Sequence, residues 1–317
     1  CKANKNKMTD TKQQKQHIGI VIVTFYPNAT ILASRLRALG NEVSVAVVDN
    51  TPTTTEQASA PLTPQPLQQL FALPHIAHIT LHANTGIAHA QNEGIKWLTT
   101  RGCSHIVFFD QDSEYTLTYV QNIVAEYNRI SLLQPSLGIL GPRVINQTDG
   151  AEYHSVIHID EQQDNGFIRR REIISSGSCI AINKLHTIGM MDDALFIDYV
   201  DFEYCWRAAH KGLISGITTA LSLPHKVGNN DLHFPHGYRV IISAPFRYYY
   251  QYRNHLWLCR RGYVPMQWKI NTGIKQFLRI FYFPFMVKGW QNIEKNMFKG
   301  IAHGLFKPAK QSFTQQK

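Results

Sequence analysis

Asp110 and Asp112 stand one residue apart at the end of the apolar run Ile106-Val107-Phe108-Phe109, within the stretch HIVFFDQDSEYT, residues 105–116. Side chains two apart on extended backbone share a face, so both carboxylates are expected to meet one ligand just beyond a buried strand. Two such charges repel unless a cation lies near them, and hard oxygen donors suit Mg2+ or Mn2+ bridging to phosphate oxygens. A strand-ending turn, where Asp is common, is the plainer alternative. A second acidic group, Asp198, Asp201 and Glu203, opens the segment DYVDFEYCWRAAHKG, whose Phe202, Cys205, Trp206 and Ala209 recur at helical spacing up to Gly212. Acids in a first helical turn are favoured by the helix dipole and by capping. Three exceed what a cap requires, and one of them can act as a general base toward a hydroxyl. Because the dipole lowers a carboxylate's pKa, that base depends on a well-placed hydroxyl.

The elements that must hold these acids are legible in the surrounding pattern. HIGIVIVTFYP (17–27) is a continuous apolar, β-rich run ended by Pro27, the signature of a doubly covered strand. A helical spacing over 29–40 ends at Gly40, and EVSVAVVDN (42–50) gives a second strand ending in Asp49. Residues 51–66, rich in Thr, Pro, Ala and Gln, read as a loop insertion. A short strand at 75–84 leads through the Asn84-Thr85-Gly86 turn to a helix that closes at Gly102, and the strand of Asp110 follows. This alternation predicts an α/β chain with a doubly wound sheet, in which ligands sit at the carboxyl ends of the strands. Farther on, IISSGSCIAI (173–182) reads as a strand in which Gly177 permits a close backbone approach, making Gly177 and Ser178 candidates for the acceptor side of a site.

Composition limits what this machinery serves. With 317 residues and 44% hydrophobic content the chain can build a large core rather than remain disordered. The cysteines Cys1, Cys103, Cys179, Cys205 and Cys259 lack any C-x-x-C or zinc-ligand spacing, so a reducing, cytoplasmic setting is expected. The start, CKANKNKMTDTKQQKQ, is polar and lysine-rich without the apolar run of a cleavable leader, and residues 1–16 are expected to form a disordered tail. From Arg247 to Lys317 there are 13 Lys or Arg against the single acid Glu294. With the interrupted apolar stretch FLRIFYFPFMVKGW (277–290), this suits the surface of an anionic membrane rather than a span across it, a merely solvated basic helical tail being the plainer alternative. No recognition motif accompanies the charge, so nucleic acid is not an expected partner. RYYYQYRNHLWLCRRGY (247–263) is either an acceptor platform or core packing against the sheet.

The set VIVTFYP, VVDN, NTGIAHAQNEG, FFDQDS, GPRVIN, SSGSCIAI, LFIDYVDFEYCWRAAHKG and YYYQYRNHLWLCRR, in this order over roughly residues 17–265, resembles the family 2 inverting glycosyltransferases of GT-A fold, and is most similar to the bacterial rhamnosyltransferase branch. Phosphatases of the haloacid-dehalogenase type also carry strand-end acids, but Glu114 breaks their pattern and no later motif completes it. The resemblance implies a GT-A domain over 17–246, made of a Rossmann-like nucleotide-binding half and an acceptor-binding half, with a basic helical extension over 247–317. It implies that Thr24, Tyr26 and Pro27 line a nucleotide pocket, that Asp49 reads the pyrimidine, and that Asn84, Gly86 and Asn92 shape the donor site. Asp110 would hold ribose and metal, Asp112 would ligate the metal directly, and His225 would complete the metal or diphosphate site. Asp201 would be the base, with Glu203 and Arg207 in support; many relatives have Glu-Asp where this chain has Val200-Asp201, which leaves Asp198 as an alternative base. The implied activity is a metal-dependent transfer, using Mg2+ or Mn2+, of L-rhamnose from dTDP-L-rhamnose to a cell-surface polysaccharide or lipid-linked acceptor at the inner face of the plasma membrane. A UDP-hexose donor, or a non-catalytic nucleotide-sugar or glycan-binding relative, is the alternative.

Overall fold

The computed structural model describes residues 17–53, 65–146, 161–162, 165–225, 231–233 and 239–307. The lysine-rich start and most of the Thr/Pro loop lie outside them. Strands β1 (Ile18–Thr24), β2 (Val43–Asp49), β3 (Ile76–Thr80) and β4 (His105–Asp110) form a parallel half-sheet in the order β3-β2-β1-β4. Helix α1 (Ala29–Ala38) joins β1 to β2, α2 (Gln65–Phe71) precedes β3, and α3 (Ile87–Thr100) joins β3 to β4. Ile18, Ile20 and Ile22 of β1 enter one apolar cluster and Val21 the opposite one; Val107 and Phe109 of β4 likewise oppose Ile106 and Phe108. Buried on both faces, such strands read as unbroken apolar runs rather than alternating ones.

The second half of the sheet is mixed. After α4 (Leu117–Leu133), β5 (Leu137–Asn146) does not pair with β4; the short β8 (Cys179–Ala181) is inserted antiparallel between them. β5 then pairs in parallel with β9 (Ile214–His225), and β7 (Phe167–Arg169) and β6 (Glu161–Gln162) finish the edge, giving nine strands in this sheet among the described residues. The helices α5 (Ile182–Ile188) and α6 (Val200–His210) flank a short 3-10 turn at Asp193–Leu195. The expectation of a doubly wound GT-A-type sheet holds in this mixed form. The strand expected over 173–182 shrinks to three residues.

The basic C-terminal segment is helical, as α7 (Pro245–Cys259), α8 (Met266–Met286) and α9 (Trp290–Phe306). Tyr248 and Tyr252 of α7 pack with Phe283, Val287, Ile293 and Met297 in a third cluster, while Leu258 at the other end of α7 joins the core beneath α6. α7 is thus built into the half that carries α6 rather than appended to it. Of the two readings of its aromatic run, core packing is the one that Tyr248, Tyr252 and Trp257 follow.

Candidate active site

Strand register gathers the first set of acids. Thr24 pairs with Asp49, Val23 with Asp110 and Asp49 with Thr80, so the ends of β1, β2, β3 and β4 form one edge. Asp110 has the parity of Ile106 and Phe108, which face the cluster containing α3 and α6. The chain then turns: Ser113 N donates to Asp110 O at 3.1 Å, and the side chain of Ser113 is buried against Ser176 Oγ at 2.6 Å. Asp112 therefore lies in a turn, exposed, and not on an extended face shared with Asp110 as the two-residue spacing implied. The turn itself is anchored. Gln111 Oε1 accepts from Phe25 N at 2.8 Å, and Arg35 Nη1 donates to Gln111 O at 2.6 Å.

The nucleotide-side candidates separate into accessible and structural groups. Tyr26 is exposed with a φ of 48° and Pro27 half-buried beside it, while Thr24 is buried under the strand end. Asp49 accepts from Thr51 N at 3.0 Å, and His78 Nε2 lies 3.8 Å from its other oxygen. Burial raises its pKa, but the hydrogen bonds from His78 and Thr51 outweigh that and hold it below the ordinary value. Asn84 is tied to the buried Asn50, whose Nδ2 donates to Asn84 Oδ1 at 3.0 Å and whose Oδ1 accepts from Thr85 N at 2.8 Å. Asn50 was not anticipated; its place beside Asp49 in VVDN was the available signal. Gly86 has a φ of 88°, and a Cβ there would lie 2.6 Å from Phe196 O. Asn92 does not face a pocket: it is buried, donating to Met191 O at 3.0 Å and accepting from Met191 N at 2.8 Å. Gly86 and Asn92 therefore shape the site indirectly, by holding the segment from Met191 to Phe196.

Two acceptor-side expectations are corrected. The close approach at Gly177, φ 75°, is to protein: a Cβ would lie 2.7 Å from Tyr119 OH and 2.9 Å from Leu223 Cδ2. Ser178 is buried, and its hydroxyl donates to Ser175 O at 2.7 Å. His225 ends β9 opposite Asn146, but its side chain lies outside the described atoms, so the expected role at the metal is not located.

The three acids of α6 have three different environments. Asp198 is bound in bidentate fashion by Arg247, with Nη2 to Oδ1 at 2.6 Å and Nε to Oδ2 at 3.2 Å. Glu203, fully buried, accepts from Arg207 Nε at 2.9 Å and Nη2 at 3.0 Å, and from Tyr263 OH at 2.5 Å. Arg261 bridges Glu203, at 3.2 Å, to the buried Asp192. Two guanidiniums and two carboxylates thus balance inside the core, which satisfies charges that burial would otherwise penalise. Asp201 alone of the three has no ion pair among the described residues; its Oδ1 accepts from Phe202 N at 3.0 Å. Burial pushes its pKa up to about 6, opposed by the backbone N–H groups of Phe202 and Asp201 and reinforced by the negative charges of Asp110 and Asp198. That last influence ties the α6 acid electrostatically to the strand-end acid.

The loop before α6 carries positive φ at Phe196 (66°), Asp198 (65°) and Tyr199 (65°), a concentration of strained backbone typical of functional sites. Its restraint comes from α7. Buried Asn254 Nδ2 lies 2.8 Å from both Leu195 O and Ile197 O and 3.1 Å from Asp198 O, while Arg253 Nη2 donates to Ala194 O at 2.7 Å. Arg253 also lies over the Trp257 ring at 4.2 Å. These carbonyl partners of Arg253 and Asn254 lie more than fifty residues away in the chain, so nothing local marks the role of either side chain.

A parallel half-sheet with acids along its carboxyl edge, joined to a mixed half that presents a desolvated carboxylate at a helix start, defines a GT-A-type transferase. The chain belongs to glycosyl transferase family 2, whose profile matches residues 20–185. It is 30% identical over 270 residues to the dTDP-rhamnosyl transferase RfbF of Shigella flexneri, covering 81% of this chain and 85% of that protein. Residues 1–349 of S. aureus TarS superpose with a TM-score of 0.51 at 12% identity, over 91% of this chain and 81% of that one. TarS 1–349 in complex with UDP-GlcNAc gives 0.51 at 11% identity, over 91% and 80%. At those identities the likeness is one of fold. The protein is a glycosyltransferase, similar in sequence to a rhamnosyltransferase.

Proposed function

We propose that this enzyme transfers L-rhamnose from dTDP-L-rhamnose, with inversion, to a hydroxyl of a glycan or lipid-linked acceptor. The observation that carries the mechanism is Asp201: desolvated, without an ion pair among the described residues, and with its pKa pushed up to about 6. A base titrating near the working pH combines a large ionised fraction with useful basicity. Asp201 takes the proton of the acceptor hydroxyl as that oxygen bonds to the anomeric carbon and the bond to the nucleoside diphosphate breaks, a single displacement that needs no covalent sugar–enzyme intermediate. Asp198, neutralised by Arg247, is the weaker candidate, and Glu203 and Arg207 position the start of α6.

Asp110 at the end of β4 and Asp112 in the exposed turn after it are the carboxylates that would hold a divalent ion at this edge, as hard oxygen donors suited to Mg2+ or Mn2+. Mg2+ or Mn2+ bound there would neutralise the departing diphosphate. The rhamnose assignment rests on the Shigella relative.

The membrane side of the reading is supported by α8, which exposes Ile270, Ile274, Phe277, Leu278, Phe281 and Phe285 as one helical stripe, with exposed Lys288, Lys295 and Lys299 following. Among the described residues no helix is long and apolar enough to cross a bilayer. An apolar face with adjacent cations suits the surface of an anionic leaflet.

The test compares melting of the wild type and Asp112→Asn with dTDP, UDP and GDP, each with and without Mn2+. Ligand at 100 times its Kd adds about 2.7 kcal/mol. A Mn2+-dependent rise with dTDP that Asp112→Asn abolishes is the expected result. A larger rise with UDP or GDP would refute the donor assignment, and no rise with any nucleotide would refute donor binding at this edge.

A further inference from the structure

A cavity of about 320 Å3 lies between the start of α6 and the inner face of α8, within the size range of small-molecule sites. Its walls combine three cations, Arg171, Lys275 and Arg279, with the rings of Tyr199, Phe202 and Trp268. Tyr199 and Phe202 lie on either side of Asp201 in the chain, so the cavity borders the start of α6, which carries the proposed base; Asp201 itself is not part of its lining. Trp268 stands edge-on to Tyr199 at 5.0 Å, giving the cavity an aromatic wall. One acid also lines it: Glu172, whose Oε1 is held by Trp206 Nε1 at 2.7 Å. Three cations against one carboxylate leave the lining positive. Among the described residues none of the three cations is ion-paired, and Arg279 reaches only the neutral Gln251 Oε1, at 3.4 Å. Burial, and then the charge of Arg279, lower the pKa of Lys275, whereas Tyr199, Tyr248, Tyr282 and Tyr252 outweigh burial and raise that of Arg279.

We propose that this cavity is an acceptor subsite for a phosphate or diphosphate group, binding the anion of a phosphate-bearing acceptor while its sugar hydroxyl is presented to Asp201. The assignment rests on the transferase reading above and narrows its acceptor to one carrying phosphate near the reacting sugar. Its position agrees with the rest of α8. The helix turns Lys275 and Arg279 toward the cavity and Ile274, Phe277, Leu278 and Phe281 outward, so a phosphate anchored to a lipid in the leaflet would lie beside the cavity. Arginine and lysine are the natural partners of phosphate oxygens, and the flanking rings suit a sugar face.

Full-length protein labelled with 5-fluorotryptophan tests this without relying on turnover. The Trp268 resonance is assigned by Trp268→Phe, and Trp97 on α3 serves as an internal control. The Trp268 signal should titrate with inorganic pyrophosphate and with a short-chain prenyl diphosphate, and Lys275→Gln and Arg279→Gln should each weaken the titration by roughly tenfold or more. Lys275 is exposed and forms no hydrogen bond or ion pair among the described residues, so its variant separates lost binding from misfolding. In transfer assays the same variants should raise KM for a phosphate-bearing acceptor more than for the same glycan on a neutral aglycone. A Trp268 signal unmoved by either diphosphate overturns the proposal, as does a response confined to phosphatidylglycerol vesicles, which would assign the cavity to a lipid headgroup. If the melting assay detects no nucleotide yet Trp268 still titrates, the anion site stands and the transferase mechanism fails.

Discussion

Replacing Asp201 by Asn should abolish transfer and at the same time stabilise the fold. The carboxyl has an ordinary value of 3.8 in the unfolded chain and about 6 in the native one. Each pH unit of such a difference corresponds to about 1.4 kcal/mol, so well above pH 6 the ionised Asp201 destabilises the native state by at most about 3 kcal/mol. Partial exposure of the side chain reduces this, and about 1 to 3 kcal/mol is expected. The sign follows from proton binding. Between about pH 4 and 6 the native state holds a proton that the unfolded state has released, so stability falls as pH rises through this window and levels off above it. Asn cannot ionise and escapes the penalty. At pH 7.5, without divalent metal, Asp201→Asn should therefore melt above the wild type by about 2 to 6 °C, and the gap should close as the buffer is taken down to about pH 4.5. The assay is a set of melting curves across that range, paired with single-turnover transfer at pH 7.5. A variant that melts at or below the wild type at pH 7.5, or a gap that does not vary with pH, would show that Asp201 is not a desolvated carboxylate. The case for it as the base would then fail even if transfer were lost.

Three further substitutions probe what holds that acid in place. Glu203→Gln leaves Arg207 and Arg261 short of a buried counter-charge and should cost about 3 to 5 kcal/mol, read as a lower urea midpoint. Asn254→Ala frees the carbonyls of Leu195, Ile197 and Asp198; hydrogen exchange over residues 195–199 should accelerate and kcat fall by roughly tenfold, equivalent to about 1.4 kcal/mol, with nucleotide affinity retained. Gly86→Ala places a Cβ 2.6 Å from Phe196 O at a φ of 88°. It should cost at least about 1 to 2 kcal/mol in backbone conformation alone and lower kcat as well as melting temperature, because the displaced residue begins the strained turn before Asp201.

The parallel half was legible because its information is local. Doubly covered strands leave unbroken apolar runs, Asn28 caps α1 through its side chain, and strand ends are marked where apolar residues give way to Asp49 and Asp110. What was illegible depends on distant partners. β8 is three residues long and owes its place to β4 and β5 on either side, so nothing local distinguishes it from a loop. Gly177 announces a close approach but not what approaches; the answer, Tyr119 and Leu223, comes from α4 and β9. Helix α2 begins Gln-Pro and carries only Leu67 and Leu70 into the core, too short a pattern to compete with the Thr/Pro loop before it. Spacing placed Asp110 and Asp112 on one face only for as long as the backbone stayed extended, and it turns immediately after Asp110.

The acids of α6 show most clearly how chemistry is assigned from outside the motif. Asp198, Asp201 and Glu203 lie within six residues, and as bare carboxylates their types distinguish none of them. α7 supplies Arg247, which neutralises Asp198, and Asn254, which holds the backbone beside it. Arg207, one turn along α6, pairs with Glu203, and Arg261 and Tyr263 beyond α7 close the buried network around it. Asp201 receives backbone donors and has no ion pair among the described residues; burial raises its pKa, and the charges of Asp110 and Asp198 add to that. The C-terminal segment, which by composition looked like a basic extension of the domain, supplies Arg247 and Arg261 to Asp198 and Glu203, and so leaves Asp201 as the acid proposed to accept a proton.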